Sequence, residues 1–177
     1  MPDDDMNHAE KWATPPSLGA VLQGAGITAR LIELPEQYLV SGNLAAFALA
    51  SGQDVQGAGA LGVAAGDSYG LRLARDRLLV VGSLAGAQPG WNAGGYAVSP
   101  TGAGLAVIVF EGRHLPDLIG RATTIDPSAP GPSAAVSFAG VPALLYRHGG
   151  TLRLHVERGL TAYLWRWLEA VFQEMPD

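Results

Sequence analysis

Gly57, Gly59 and Gly62 have the G-x-G-x-x-G spacing that contacts the pyrophosphate of dinucleotides in many proteins. The motif works where a strand precedes it and a helix follows it, because N–H groups at the start of that helix then meet the phosphates. Residues 51–56 lack the pattern of a strand, and 24 of the 177 residues are glycine, so the spacing is expected by chance. The sequence predicts a flexible loop here and no cofactor site.

The histidines are the side chains best suited to acid–base chemistry or metal binding, and there are four: His8, His114, His148 and His155. His148 falls in a predicted turn and His155 on the polar face of the strand that follows, so the two could approach across a hairpin. No carboxylate is spaced to complete a metal site with them, and the chain has no cysteine. We therefore predict no metal site.

Nucleophilic catalysis requires a base beside the nucleophile, and the serines here have no evident partner. Ser133 and Ser137 follow a proline-rich connection without a histidine or carboxylate at a suitable spacing. Asp126 could be a buried carboxylate, but a helix cap or a turn hydrogen bond is the more usual role of such a residue. The sequence contains no HExxH, G-x-S-x-G or P-loop spacing. We predict no catalytic residue on this chain, and an enzyme acting alone is the least supported function.

The charge of the chain bears on its partners. Only 15% of the residues are charged and the net charge is -5, which disfavours nucleic acid and anionic membrane surfaces. Arg72, Arg75 and Arg77 could face an anionic partner, although a solvated strand-turn surface is the more usual explanation of such residues. The acidic start has no apolar core, and no apolar run approaches the ~20 residues of a membrane span, so we expect a cytoplasmic protein.

Hydrophobic periodicity predicts an α+β protein in which mixed or antiparallel sheets pack against helices. We expect a disordered or loosely draped arm at residues 1–17. A single α+β domain over residues 18–177 follows, built from two β-α-β-β-type halves at about 18–95 and 96–177. The predicted strands are 27–34, 69–74, 78–81, 105–110, 136–146 with a bulge at 140–142, and 151–158; the predicted helices are 44–50, capped by Asn43, then 114–122, and a C-terminal helix from 159.

The C-terminal helix has more aromatic surface than one core contact requires. Tyr163 and Trp167 fall on its main apolar face, whereas Trp165 and Phe172 fall on a neighbouring flank, one heptad apart. The apolar arc is about 200° wide, against roughly 100° for an ordinary surface helix. Either another part of this chain or another subunit must cover the extra flank. Because aromatic residues are enriched at interface hot spots, we expect Trp165 and Phe172 to contact a partner, with Tyr163 and Trp167 anchoring the helix inside.

The same region carries a family resemblance. Residues 152–168, a strand followed by Tyr-Leu-Trp-Arg-Trp-Leu, resemble the C-terminus of the gamma subunit of heterotetrameric sarcosine oxidase. Residues 136–146 are similar to its preceding strand, and residues 105–119 to its strand-turn-helix element. Gly159 stands where the family has a helix-capping serine, and residues 122–126 replace a Cys-Pro-x-Asp pattern. These departures indicate a divergent member.

The resemblance implies the fold of the N-terminal part of the folate-dependent aminomethyltransferases. It also implies a non-catalytic role in a complex that oxidises sarcosine and passes the one-carbon unit to tetrahydrofolate. FAD, FMN, NAD and tetrahydrofolate would then bind other subunits, and this chain would bind no cofactor. Its partners would be the larger alpha- and beta-type flavoenzyme subunits, with contact to the aminomethyltransferase-like region of the alpha subunit.

Two other functions remain open at this point. One is a stand-alone folate- or small-ligand-binding protein of the same fold, which needs a concave apolar pocket, for example between the halves near Arg72 and Trp91. The other is a homodimeric scaffold, which would associate with itself without any ligand.

Overall fold

The structure of the protein, a computed structural model, describes residues 14–175. Most of the predicted arm, residues 1–13, lies outside this range, and residues 14–17 form no helix or strand. The elements, in chain order, are β1 (Val21–Gly24), β2 (Ile27–Ile32), β3 (Gln37–Gly42), α1 (Leu44–Ser51), β4 (Val63–Ala64), β5 (Tyr69–Ala74), β6 (Arg77–Val81), β7 (Gly90–Asn92), β8 (Tyr96–Pro100), β9 (Leu105–Gly112), α2 (Leu115–Ala122), β10 (Ala135–Phe138), β11 (Val141–His148), β12 (Thr151–Glu157) and α3 (Thr161–Glu174).

The strands form two sheets, which confirms the predicted α+β class. The large sheet has seven strands in the order β1-β2-β9-β12-β11-β10, with β4 joined to β11. The small sheet has five strands in the order β5-β6-β3-β8-β7. Within residues 14–175, every pairing of these strands is antiparallel except that of β4 with β11.

The molecule has four layers, because each sheet packs against another layer on both faces over at least part of its area. Helices α2 and α3 pack on one face of the large sheet and form the largest apolar cluster with β2, β9, β11 and β12. The other face of the large sheet packs on the small sheet through Tyr146, Leu71, Leu79 and their neighbours. Helix α1 covers the outer face of the small sheet through Leu44 and Phe47. Among the described helices the longest, α3, has 14 residues, and none has the length and apolar character needed to cross a membrane.

Helix α1 begins and ends where the sequence predicts. The Asn43 side chain accepts a hydrogen bond from the Ala46 backbone N–H at 3.1 Å, which satisfies one free donor of the first turn. Gly52 ends the helix in a left-handed conformation with φ 70°, where a side chain would be strained. Helix α2 is confirmed as well, with Pro116 in its first turn, where a missing N–H is tolerated.

The prediction of one bulged strand over residues 136–146 is wrong. Residues 139 and 140 are instead a two-residue turn between β10 and β11, which pair from Phe138 with Val141 outward. Ala139 has φ 50° and Gly140 has φ 81°, and two consecutive positive values are typical of a type I′ hairpin turn. Because Ala-Gly lacks the asparagine or aspartate common in such turns, the sequence carries only half of the usual signal.

The predicted halves do not correspond to the sheets. Strands β1, β2 and β4 belong to the first half of the sequence but pair in the large sheet, which the second half otherwise builds. Strand β8 lies beyond residue 95 but pairs with β3 in the small sheet. Five observed strands were not predicted, and each is short or adjoins glycine- and proline-rich turns: β1, β3, β4, β7 and β8.

Candidate functional site

The most polar buried region lies between the two sheets, where four side chains form a chain of hydrogen bonds. Arg153 Nη1 donates to the Tyr69 hydroxyl at 3.0 Å, and that hydroxyl lies 2.7 Å from the Tyr146 hydroxyl. The Tyr146 hydroxyl lies 2.9 Å from His155 Nε2. Tyr69 is on β5 of the small sheet, whereas the other three are on β11 and β12. The chain of hydrogen bonds therefore joins the sheets.

Burial controls the protonation of the side chains in this chain of hydrogen bonds. His155 and Tyr146 are both fully buried, with 0% of their surface exposed. Burial lowers the pKa of His155 from its ordinary 6.5 to about 3, and the charge of Arg153 adds to the shift. Burial also raises the pKa of the Tyr146 hydroxyl above its ordinary 10.0, with the neighbouring Tyr69 as the next cause. The imidazole and the phenol are both neutral at physiological pH.

The predicted approach of His148 and His155 takes an indirect form. The His148 ring packs on Tyr69 with centroids 4.9 Å apart, and the His155 ring packs on Tyr146 at 5.4 Å. His148 Nε2 also lies 3.0 Å from the carbonyl oxygen of Gly66. His155 lies on the polar face of β12 together with Arg153, as the alternation predicts, and the small sheet covers His155 on that face. The sequence reading missed both tyrosines, and their pairing across 77 residues leaves no local signal.

A cleft of about 770 Å³ opens between the sheets beside this chain of hydrogen bonds. We call it the inter-sheet cleft. Its walls are mostly apolar, and Glu157 and Arg158 are among its lining residues together with His155. The strand residues around it include Leu39, Leu73, Leu79, Leu105, Ala135, Val136, Pro142, Ala143, Leu144 and Val156.

The pocket predicted near Arg72 and Trp91 is not this cleft, since neither residue lines it. The Arg72 guanidinium instead donates to the carbonyl oxygens of Val55 and Arg75, both at 2.6 Å, and so holds a turn in place. Trp91 lies on β7 at the edge of the small sheet and is 76% exposed.

Residues 57–62 are a fixed connection between the sheets rather than a flexible loop. Ala60 N donates to Ser133 O at 2.7 Å, and Leu61 N donates to Leu145 O at 3.2 Å. A Cβ at Gly59 would lie 1.8 Å from Gly131 O, so this position needs glycine for close backbone approach. The short strand β4 follows at once, whereas a dinucleotide site has a helix there.

The other polar candidates have local structural roles. Asp126 is exposed and accepts hydrogen bonds from the backbone N–H of Ser128 at 2.8 Å and from its hydroxyl at 2.6 Å; these bonds lower the pKa of Asp126. Ser133 donates to Leu73 O at 2.7 Å, which ties the start of the β10 hairpin to β5. His114 Nδ1 lies 2.8 Å from Asp117 Oδ2 at the start of α2. Among the described residues, no three histidine, aspartate or glutamate side chains converge.

The aromatic residues that helix α3 exposes are not the ones that the sequence predicted to lie outside the core. Trp165 and Phe172, expected outside the core, are 9% and 4% exposed and belong to the main apolar cluster. Strand β1 covers Phe172 closely, since a Cβ at Gly24 would lie 3.0 Å from Phe172 Cβ. Tyr163, expected inside, is 50% exposed and donates to Ala139 O at 2.9 Å. Trp167 is half-buried, edge-on to Phe138 with ring centroids 5.9 Å apart.

The fold is similar to that of a chain in the solved structure of heterotetrameric sarcosine oxidase from Corynebacterium sp. U-96 in complex with pyrrole 2-carboxylate. The TM-score is 0.67 and the sequence identity is 20%, over 88% of this chain and 88% of that chain. The fold expected from the sequence resemblance is therefore confirmed, and the two chains are of similar length. No sequence-family model matches the chain, and no curated protein matches it in sequence.

Proposed function

We propose that this chain is a gamma-type, non-catalytic subunit of a sarcosine oxidase-like flavoenzyme complex. The observation that supports the proposal most strongly is the match of fold to a chain of such a heterotetramer over nearly the whole length of both chains.

The polar groups of this chain suit a structural role. In the described residues, Tyr146 and His155 are fully buried between the sheets, and burial shifts the pKa values of this phenol and this imidazole far from neutrality. A general base works best with a pKa near the working pH, which His155 does not have. In this proposal FAD, FMN, NAD and tetrahydrofolate bind the larger subunits.

The proposed contact with the alpha-type subunit is the exposed flank of α3. Tyr163 and Trp167 are four residues apart and therefore adjacent on the helix surface, and both leave part of the ring accessible. Exposed aromatic rings of this kind are the usual anchors of an interface. Trp165 and Phe172 were predicted to make this contact. They instead pack in the main apolar cluster and hold α3 on the large sheet.

The proposal is tested by purifying an affinity-tagged chain from the organism that encodes it. We expect subunits that carry bound flavin to copurify in fixed stoichiometry, and we expect the purified material to consume oxygen when sarcosine is added. Mass spectrometry identifies the subunits, and the visible absorbance measures the flavin. A tagged chain that elutes alone, or as a homodimer, while a flavin oxidase of the same extract elutes elsewhere, would contradict the proposal.

A matched pair of variants tests the contact surface. Tyr163→Ala should weaken retention of the partner by about tenfold, since it removes one of the two exposed aromatic rings of the proposed contact. Leu49→Ser is the control, because Leu49 is an exposed apolar residue on α1, at the opposite side of the layers. Equal retention by the two variants would place the contact elsewhere on the chain.

A further inference from the structure

We propose that the inter-sheet cleft binds a compact, neutral, mostly apolar molecule whose carbonyl oxygen accepts a hydrogen bond from Nδ1 of His155. The cleft lies on this chain alone, so the proposal is independent of membership in an oxidase complex. Its volume of about 770 Å³ is within the range of small-molecule sites.

The direction of the hydrogen bonds between the sheets determines which His155 nitrogen carries the proton. Arg153 can only donate, so the Tyr69 hydroxyl accepts from it and is free to donate to Tyr146. The Tyr146 hydroxyl then donates to His155 Nε2, which acts as an acceptor. The opposite direction would leave the Tyr69 proton without an acceptor among residues 14–175. In a neutral imidazole whose Nε2 accepts, the proton is on Nδ1.

Nδ1 of His155 is therefore a buried donor, and it has no hydrogen-bond partner within residues 14–175. Buried polar groups in folded proteins are nearly always paired, so an unpaired one needs an explanation. His155 lines the inter-sheet cleft, and a ligand oxygen in the cleft would supply the missing acceptor. Because the nitrogen is fully covered, a lining side chain must turn aside to admit the oxygen, and rotamer changes of this size are common on binding.

The charges around the cleft favour a neutral ligand over an anion. The imidazole is uncharged, since its pKa is lowered to about 3, so a buried carboxylate would meet no positive charge at His155. Arg158 already donates to the carbonyl oxygens of Ala103 and Leu105, and Glu157 lies beside it. A ketone, an amide or a lactam carbonyl on an apolar ring system fits both the walls and the donor.

Prodan is a suitable probe, because it is a neutral naphthalene ketone whose emission moves to shorter wavelength in apolar surroundings. Adding the purified chain to Prodan should move the Prodan emission to shorter wavelength, and this shift should saturate as the protein concentration rises. The same naphthalene amine without the ketone group should bind more weakly. An unsaturable response, or none, would overturn the proposal.

Two pairs of variants locate the probe. Ala135→Trp places a large ring in the cleft from an exposed edge-strand position and should abolish saturable binding. Ser137→Trp is its control on the same strand, outside the residues that line the cleft, and should bind as the unaltered chain does. Equal binding by both tryptophan variants would exclude the cleft as the site.

His155→Gln tests the hydrogen bond itself. The glutamine amide oxygen lies where Nε2 was and still accepts from Tyr146, but no donor remains at the Nδ1 position. Prodan binding should weaken about fivefold, and binding of the ketone-free analogue should not change. An equal loss for both probes would overturn the hydrogen bond to Nδ1. Thermal melting of each variant verifies that the fold is intact.

Discussion

The two faces of the large sheet carry different chemistry, although at β11 and β12 both faces pack against another layer. Strand β12 illustrates this, since Leu152, Leu154 and Val156 face the helices whereas Arg153 and His155 face the small sheet. The helix side is a cluster of apolar side chains. The small-sheet side instead depends on directed contacts among Arg153, Tyr69, Tyr146 and His155. An alternating strand therefore indicates two chemically different faces, but it does not show which face is solvated.

The largest predicted effect is on the helix side. Trp165→Ala should lower the free energy of unfolding by about 4 kcal/mol, because it leaves a cavity in the main apolar cluster. Tyr163→Ala, two residues away on the exposed flank, should cost under about 1 kcal/mol. Urea titrations measure both. Similar losses for the two variants would mean that Trp165 is not the buried member of the pair.

Acid should weaken the small-sheet side specifically. The pKa of His155 is about 3 in the folded chain and near 6.5 when unfolded, so between these values the unfolded state binds one more proton. The contribution of this group to stability is complete above pH 6.5 and is lost as the pH falls towards 3. We expect a loss of about 2 kcal/mol between pH 6.5 and pH 5, since one proton corresponds to about 1.4 kcal/mol per pH unit.

The control for this pH dependence is a comparison of the His155→Gln variant with the unaltered chain. His155→Gln should have a flatter dependence of unfolding free energy on pH. Carboxylates titrate in both proteins, so they cancel in the difference. The same slope in His155→Gln and the unaltered chain would show that His155 is protonated when folded.

Removing one hydroxyl tests whether the hydrogen bonds between the sheets act together. Tyr146→Phe should cost about 1.5 kcal/mol, because His155 Nε2 and the Tyr69 hydroxyl both lose a partner. Tyr69→Phe and the double variant complete a cycle, and the two single losses should sum to more than the loss in the double variant. Strict additivity would mean that the two hydroxyls do not interact.

The smallest predicted effect concerns Ser133, whose hydroxyl joins the segment before β10 to strand β5 of the small sheet. Ser133→Ala removes the hydrogen bond to Leu73 O and should cost about 1 kcal/mol. Ser137→Ala, on the exposed side of the same hairpin, is the control and should change stability by less than about 0.5 kcal/mol. Thermal unfolding of the two variants resolves this difference.

Helix α3 and the hairpin that covers it show which features the local sequence predicts and which it does not. The wide aromatic arc correctly indicated that something must cover Trp165 and Phe172. It could not identify the cover, because β1 is a four-residue strand whose pairing with β2 depends on the tight turn between them. The assignment of Tyr163 to the interior failed for the same reason. The side of a wide arc that faces the core depends on what else packs there.

The sequence by itself determined the features that depend on near neighbours. These are the cap and end of α1, the proline in the first turn of α2, the hairpin of β5 and β6, and the alternation of β12. Tertiary structure alone decided that the polar face of β12 is buried, that Tyr69 meets Tyr146 and that a cleft opens beside His155. The physical reason is the separation in sequence between the residues that interact. Capping and alternation depend on bonds between residues a few positions apart, whereas burial depends on which distant surface covers a face.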